Sequence, residues 1–279
     1  MFTIKPKLKI VATILAKDEE DIIASTIEHH LKQGVWKIIF TDNNSSDNTR
    51  KIAASYPEVV EIIDEPGDDH NQSLWVTRMA QIACKFKPDW IVHLDADEHW
   101  SGLMNLSEIM TSVAGCRRMY LHPPINWNFK LSEMKNYLDF DKIQIEQECK
   151  IAHRPDSKFI IEHGNHGAKR DEFGEAVQFT DKVWRHHYPI RSYEQWERKS
   201  KGHEALKRRG AVCKRWQMWH EFSESGNLES QYRKIIDTWK SMIQKPNKED
   251  LHELLNFWAT PEMIDFFKKN NLTPDVRSL

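Results

Sequence analysis

Glycine is scarce in this chain, with 10 residues in 279. No GxxxxGK[ST] loop is present, and no GxGxxG turn follows the first predicted strand, so the sequence lacks the usual glycine-rich phosphate cradles. A protein of this composition that binds a phosphate ligand has to neutralise its charge in another way. A metal ion and basic side chains are the two means that remain.

Cysteines and long apolar runs are also few. The four cysteines, at positions 84, 116, 149 and 213, are scattered without a CxxC pair, which predicts reduced thiols in a cytoplasmic protein. The longest apolar runs, such as "IVATILA", are too short to cross a bilayer. The sequence "MFTIKPKLKI" lacks the apolar region and cleavage site of a signal peptide. We therefore expect a cytoplasmic location.

No excess of either charge is present, since 40 basic residues face 42 acidic ones and the net charge is −2. The sequence thus gives no sign of a nucleic-acid partner, and no feature indicates an obligate protein partner. A hydrophobic fraction of 39% and a charged fraction of 29% are typical of a globular protein. The length allows one large α/β domain, or a domain with an appendage.

The first hundred residues alternate between apolar and amphipathic segments. We predict four strands, "LKIVATILA", "WKIIFTD", "VVEIID" and "WIVHLD", separated by helices over 19–34, 48–55 and 72–87. Gly34 is expected to end the first helix, and Ser46 or Asp47 to cap the second. This alternation indicates an α/β fold with a doubly wound, mostly parallel sheet.

Ligands of such sheets bind at the carboxyl ends of the strands. The pattern therefore places a row of charged residues along one edge of the sheet, namely Lys17, Asp18, Asp42, Asp95 and Asp97.

The alternation of predicted strands and helices ends after residue 100. A helix near 105–114 precedes strand-like pieces "RRMYLH", "CKIAHR" and "AVQFTDKVWRHHYPI", and from Tyr193 the pattern is helical. We expect a catalytic domain over 1–190 and a helical region over 191–279. The predicted helices of that region span 193–208, 212–222, 229–243, 249–257 and 261–269.

The carboxylates of "DADE" follow the fourth predicted strand. Residues two apart in an extended segment project to the same side, so Asp95 and Asp97 can face one ligand. Two such oxygen ligands suit Mg²⁺ or Mn²⁺, which keep positions open for water and substrate phosphates. The alternative interpretation is a solvated acidic turn. Arg78, on the preceding helix, is a candidate to neutralise phosphate, or else an ordinary exposed helix arginine.

The stretches "ILAKDEEDIIASTIEHHLKQGVWKIIFTDNNSSDNT" and "WVTRMAQIACKFKPDWIVHLDADEHW" together resemble glycosyltransferase family 2. The resemblance is to its bacterial branch with "DNxSxDxT" after the second strand and "DxDE" after the fourth. It extends through "GNH" at 164–166 and "HYPIRSYEQWERK" at 187–199, and covers roughly 8–205. One departure is Asp18, where the family commonly has Asn before Glu.

The resemblance implies a GT-A fold and transfer of a sugar from a nucleotide-diphosphate donor, here a UDP-sugar, to a surface polysaccharide or related glycan. Asp42 would bind the base or ribose, Asp95 the ribose or the metal, and Asp97 the divalent cation on the diphosphate. The full set of expected donor-binding residues is Lys17, Asp18, Glu19, Asp42, Arg78, Asp95, Arg191 and Lys199.

Histidines near the end of the predicted catalytic domain are the next candidates. His163, His166, His186 and His187 offer four nitrogens for zinc, but neighbouring histidines on a strand point to opposite faces. GT-A enzymes often use a late histidine as a further metal ligand, and the one before "YP" matches that place. We therefore predict Asp95, Asp97 and His187 around Mn²⁺ or Mg²⁺, with His166 orienting the acceptor or the phosphate.

Inversion, which the family resemblance implies, asks for a carboxylate that deprotonates the acceptor hydroxyl. Glu162 is our candidate, beside "HGNH", and Glu98 is expected to support the metal site or the following helix. The predicted catalytic residues are thus Glu162, His166 and Asp97. Sequence spacing does not select among the other candidates for the base, Asp139, Asp141, Asp171 and Glu172.

A basic band covers residues 185–215, with ten Lys or Arg against three Glu. Arg191 and Lys199 are expected to reach the donor pyrophosphate, or the outer lysines to meet a lipid-linked acceptor; an exposed helix face is the alternative. The aromatic helices that follow are predicted to pack as core, with peripheral contact at the inner membrane face as the alternative.

Two further function classes stay open at this point. One is sugar-phosphate nucleotidyl transfer, which normally needs a glycine-rich loop after the first strand. The other is a degenerate nucleotide- or carbohydrate-binding protein without turnover.

Overall fold

The computed structural model describes residues 8–67, 71–101, 104–112, 117–121, 149–169, 177–180, 183–188, 191–201 and 214–234. These residues fall into two compact units, the first holding the described residues up to 188 and the second those from 191 onward.

The first unit is built on a seven-stranded sheet with the order β10-β6-β7-β4-β1-β2-β3. Strands β1 to β4 run parallel, β7 is antiparallel to both β4 and β6, and β10 is parallel to β6. Its strands are β1 (Ile10–Ala16), β2 (Val35–Asp42), β3 (Val59–Asp64), β4 (Trp90–Asp95), β6 (Arg118–Leu121), β7 (Lys150–His153) and β10 (Val177–Thr180).

Two short antiparallel pairs accompany the sheet. In the first, β5 (Glu98–Ser101) pairs with β11 (Trp184–His187), so that Glu98 lies opposite His187. In the second, β8 (Ile160–Ile161) pairs with β9 (Ala168–Lys169). The first pair carries a late part of the chain to the end of β4.

Helices cover both faces of the sheet. These are α1 (Ile23–Lys32), α2 (Thr49–Ala54), α3 (Gln72–Cys84) and α4 (Leu106–Ser112). Side chains alternate along β1, so Ile14 joins the core cluster that contains Ile27 of α1, whereas Val11 joins the one that contains Met79 of α3. The predicted α/β class with a doubly wound, mostly parallel sheet, the GT-A type, is therefore confirmed.

Local signals explain where the first two helices begin and end. Gly34 has φ +100 and donates its N–H to the carbonyl of Leu31, which ends α1 as predicted. The N-cap residue of α2 is Asn48 rather than the predicted Ser46 or Asp47, and the carboxylate of Asp47, one residue earlier, accepts the N–H of Thr49 at 2.9 Å. Helix α1 begins at Ile23 rather than at residue 19, because the residues before it form a loop.

The second unit is helical in its described part, with α5 (Tyr193–Lys201), α6 (Lys214–Glu224) and helical residues 228–234. Trp196, Trp219 and Leu228 are buried together as its core. Within the described residues, no helix is long and apolar enough to cross a membrane. The helices predicted at 249–257 and 261–269 lie outside the described residues.

Candidate active site

Two loops at the carboxyl ends of β1 and β2 are joined by hydrogen bonds. The carboxylate of Asp18 accepts the N–H of Ser46 at 2.6 Å, and the N–H of Glu19 donates to Oγ1 of Thr49 at 2.8 Å. Lys17 donates from Nζ to the carbonyl of Asn43 at 3.1 Å. In this structure Lys17, Asp18 and Glu19 therefore hold the rim together.

Asp42 ends β2 at the same rim and is 4% exposed. Its Oδ2 accepts the N–H of Ser45 at 3.0 Å. Its Oδ1 is buried and has no hydrogen-bond partner among the described residues. A buried carboxylate oxygen without a partner is energetically costly, which favours a ligand that donates to it.

Asp95 ends β4 and is held by two neighbours that lie far away in the sequence. One carboxylate oxygen is ion-paired with Nζ of Lys150, and the other accepts Nδ2 of Asn165 at 2.8 Å. Burial raises the pKa of Asp95, Lys150 opposes this shift, and Glu98 adds to it. Asp95 is thus fixed in place by the protein itself.

Glu98, at the start of β5, is buried with two cations. Its Oε1 lies 3.3 Å from Nζ of Lys150 and 3.1 Å from a guanidinium nitrogen of Arg185. Its Oε2 accepts the indole N–H of Trp100 at 3.2 Å. Burial opposes ionisation, but the positive charges of Lys150 and Arg185 outweigh it and hold the pKa of Glu98 at about 2.

Lys150 itself, on β7, is almost fully buried, with a side chain 3% exposed. Burial lowers its pKa, whereas the carboxylates of Asp95 and Glu98 raise it, and the net direction is upward. Its third contact is the carbonyl of Gly164 at 2.8 Å. The ammonium therefore stays charged, with hydrogen bonds to Asp95 and to the carbonyl of Gly164 and an ion pair with Glu98.

Asp97 lies beside His187. Nε2 of His187 is 3.5 Å from Oδ1 of Asp97, and both side chains are mostly buried. The carbonyl of Asp97 accepts the N–H of Tyr188 at 2.8 Å, which fixes the end of β11 here. Nδ1 of His187 is buried and has no hydrogen-bond partner in the described part of the chain.

The turn at 162–167 closes the other side of Asp95. Glu162 is ion-paired with Lys169, and its side chain is 34% exposed. Nδ1 of His166 lies 3.0 Å from the carbonyl of Cys149. Asn165 of the same turn reaches Asp95, so the turn adjoins the carboxylate cluster.

Three predicted basic residues have contacts of their own. Arg78 is ion-paired with Glu65, just beyond β3. Arg191 and Lys199 lie in the second unit, where the N–H of Arg191 donates to Oε1 of Gln195 at 3.2 Å. The side chain of His186 and the alternative bases lie outside what the structure describes; these bases are Asp139, Asp141, Asp171 and Glu172.

The donor set at Asp97 suits a divalent cation in part. A carboxylate oxygen and an imidazole nitrogen 3.5 Å apart can share one ion and leave positions for water and phosphate oxygens. The three carboxylates of the cluster face two buried cations, Lys150 and Arg185, so negative charge remains. Among the described residues, however, no group of three His, Cys, Asp or Glu side chains forms a metal site.

Sequence reasoning missed Lys150, Arg185 and the individual role of Asn165. Lys150 in "CKIAHR" and Arg185 in "VWRHHYP" lie on short strands, and their sequences are typical of surface segments. The signal available was weak, namely a charged residue inside an otherwise apolar strand.

One protein family matches this chain. The model of the family described as "Glycosyl transferase family 2" matches residues 12–155, which is more than half of the chain. No curated protein sequence matches the chain.

Several solved structures are similar at low identity. Glucosyl-3-phosphoglycerate synthase from Mycobacterium tuberculosis, in complex with Mn²⁺, UDP and phosphoglyceric acid, is 14% identical, with 71% of this chain and 76% of that chain covered and a TM-score of 0.36. Mannosyl-3-phosphoglycerate synthase from Rubrobacter xylanophilus is 14% identical, with 74% of this chain and 76% of that chain covered and a TM-score of 0.39. HddC from Yersinia pseudotuberculosis is 12% identical, with 67% of this chain and 96% of that chain covered and a TM-score of 0.39.

These TM-scores are too low to carry any argument about substrates. The assignment to a family rests on the family match over more than half of the chain. The predicted carboxylates at one edge of the sheet agree with it. The chain belongs to glycosyltransferase family 2 and is a glycosyltransferase.

Proposed function

We propose that this protein transfers a sugar, with inversion, from a UDP-sugar to a hydroxyl of a glycan or of a lipid-linked glycan, as a member of the family's DxDE branch. The observation that carries the proposal is the meeting of Asp97 with His187 beside Asp95 at the carboxyl edge of a parallel sheet. This edge is where ligands bind in such sheets.

The nucleoside is proposed to bind at Asp42. A carboxylate oxygen there is buried and has no partner in the described residues, so an N–H of the base or an O–H of the ribose would satisfy it. The loops held by Lys17, Asp18 and Glu19 form the floor beside it.

Asp97 and His187 are the residues that would hold Mn²⁺ or Mg²⁺. When bound, the cation would neutralise the charge that develops on the leaving diphosphate. Lys150 and Asn165 each contact one oxygen of Asp95 and fix the carboxylate in place. A carboxylate has about four acceptor positions, so Asp95 would still have capacity for the metal or for a hydroxyl of the donor ribose.

Glu162 is proposed as the base that takes the proton of the acceptor hydroxyl. Its carboxylate is partly exposed and is ion-paired with the exposed side chain of Lys169, so an incoming acceptor can reach it. His166, two residues from the strand pair, is proposed to orient the acceptor or the phosphate.

The basic residues complete the proposal. Arg78, Arg191 and Lys199 would contribute positive charge toward the diphosphate, in a protein without a glycine-rich phosphate loop. A cytoplasmic location, with peripheral contact at the inner membrane face for a lipid-linked acceptor, belongs to the same proposal.

Titration calorimetry of UDP, with and without Mn²⁺, tests this function, followed by a screen of UDP-sugars with mass-spectrometric detection of hydrolysis and transfer products. We expect UDP binding that depends on Mn²⁺ and slow donor hydrolysis without acceptor. Binding without turnover of any donor would instead indicate a degenerate binding protein. Absence of UDP binding would contradict the proposed donor.

A further inference from the structure

Asn165 lies in a left-handed turn. Its φ is +59, and the preceding Gly164 has φ +70, so two successive residues are left-handed. Asparagine adopts this region more readily than most residues other than glycine, so the residue type suits the turn. The contacts around the turn determine where the side chain of Asn165 points.

The turn is clamped from both sides. The N–H of Gly164 donates to Oε1 of Gln72 at 2.8 Å, and its carbonyl accepts Nζ of Lys150 at 2.8 Å. A side chain at position 164 would collide with the ring of His166. These contacts fix the turn so that Nδ2 of Asn165 donates to Asp95 at 2.8 Å.

This bond determines which way the amide of Asn165 points. A carboxylate only accepts hydrogen bonds, so the nitrogen of the amide faces Asp95 and the oxygen faces away. Asn165 is 1% exposed, and its Oδ1 has no hydrogen-bond partner anywhere in the described ranges. A buried, oriented acceptor in a binding site suits a ligand that donates an O–H or N–H.

The order of strands indicates which part of the donor that ligand group belongs to. Asp42 on β2 and Asp95 on β4 flank β1, so their strands lie about 10 Å apart. Lys150, which clamps the turn of Asn165, lies on β7, on the far side of β4 from Asp42. With the nucleoside at Asp42 and the diphosphate near Asp97, the sugar lies toward Asn165.

We propose that Oδ1 of Asn165 accepts a hydrogen bond from a ring hydroxyl of the donor sugar and so helps to select that sugar. This inference rests on the proposed function. It assigns Asn165 a direct contact with substrate, in addition to its bond to Asp95.

The test compares Asn165→Gly with Lys87→Gly. Glycine relieves the left-handed strain at either position, and Lys87 is exposed, with φ +49, in the turn after α3. Calorimetry in the presence of Mn²⁺ measures the affinity for UDP, UDP-glucose, UDP-galactose and UDP-N-acetylglucosamine. Urea unfolding shows that both variants are folded.

Because Lys150 still holds Asp95, we expect Asn165→Gly to bind UDP within about twofold of wild type. It should lose the extra affinity that the preferred sugar provides, on the order of tenfold. Lys87→Gly should keep both affinities. The proposal is overturned if Asn165→Gly keeps the sugar's contribution, if it weakens UDP and UDP-sugars equally, or if no sugar adds affinity in wild type. Failure of wild type to bind UDP at all would instead overturn the proposed function itself.

Discussion

Nε2 of His187 lies 3.5 Å from Oδ1 of Asp97, although one residue ends β11 and the other follows β4. The antiparallel pairing of β11 with β5 produces this contact, since it sets His187 opposite Glu98. Two side chains with metal-binding chemistry thus meet at the edge of the sheet where the family's donor is expected.

Lys150→Met should destabilise the fold strongly. The change leaves Asp95 and Glu98 buried without the ammonium that balances them, and breaking a buried ion pair in this way costs about 3–5 kcal/mol. Urea unfolding measures the loss. Arg50→Met is the matched control, because the Arg50–Asp64 pair is exposed and worth about 0–1 kcal/mol. Equal effects of the two changes would mean that Lys150 is not a structural cation of the cluster.

Asp42→Ala should weaken UDP binding while the fold stays intact. The loss of a buried hydrogen bond to the base or ribose would cost about 1–3 kcal/mol, which calorimetry detects. Asp64→Ala provides the comparison, since Asp64 ends the next strand but is exposed and paired with Arg50. If the UDP affinity of Asp42→Ala equals that of wild type, Asp42 lies outside the nucleotide site.

Gly167→Ala tests Glu162 without removing its carboxylate. A methyl group at 167 would collide with Oε2 of Glu162, and the flexible end of that side chain can shift to make room. We expect the kcat of Gly167→Ala to fall by tenfold or more with little change in the midpoint of unfolding. The kcat of Glu162→Gln should fall further. Normal turnover in Glu162→Gln would exclude Glu162 as the base.

The stability of the fold should decrease between pH 6.5 and pH 4. Burial lowers the pKa of His153 to about 4, and that of His30 well below its usual range. Above pH 6.5 both histidines are neutral whether the chain is folded or unfolded; as the pH falls further, only the unfolded chain takes up the protons. His153 alone would contribute a loss on the order of 3 kcal/mol across this window.

His153→Gln isolates that contribution. In the wild type, Nδ1 of His153 lies 2.7 Å from the carbonyl of Arg154, and Nε2 lies 3.0 Å from Nε2 of His93. A glutamine amide can donate to the carbonyl and accept from His93 without titrating. Urea midpoints at several pH values should therefore fall less steeply in the variant, and parallel slopes would show that His153 does not titrate as described.

Much of the fold was predictable because local patterns determine it. The four parallel strands are apolar runs separated by amphipathic segments, and parallel strands bring Asp42 and Asp95 to one edge of the sheet. The end of α1 was predictable for a local reason as well. Gly34 has φ +100, and glycine is the residue type that adopts such a conformation without strain.

The buried supports of the site were not predictable. Lys150 meets Asp95 only because β7 inserts antiparallel beside β4, and Arg185 meets Glu98 only because β11 pairs with β5. These pairings join distant parts of the chain, and the local pattern of apolar residues does not predict which strands pair. The start of α1 was misplaced for a similar reason, because side chains of Thr49 and Asp47, from a distant segment, accept the N–H groups of Glu19 and Glu20 and hold them outside the helix.

Asp97 is the residue proposed to hold the divalent cation. Asp97→Asn keeps the size of the side chain but removes the charge that would hold the ion, so turnover should fall by several orders of magnitude. His187→Ala should reduce metal dependence more mildly, because water can replace one neutral ligand.

The most direct measurement is sugar transfer, or donor hydrolysis, by wild type and Asp97→Asn after chelation with EDTA and stepwise return of Mn²⁺ or Mg²⁺. We expect chelation to abolish wild-type activity and either ion to restore it, with little recovery in Asp97→Asn. Undiminished wild-type transfer in excess EDTA would contradict the metal assignment.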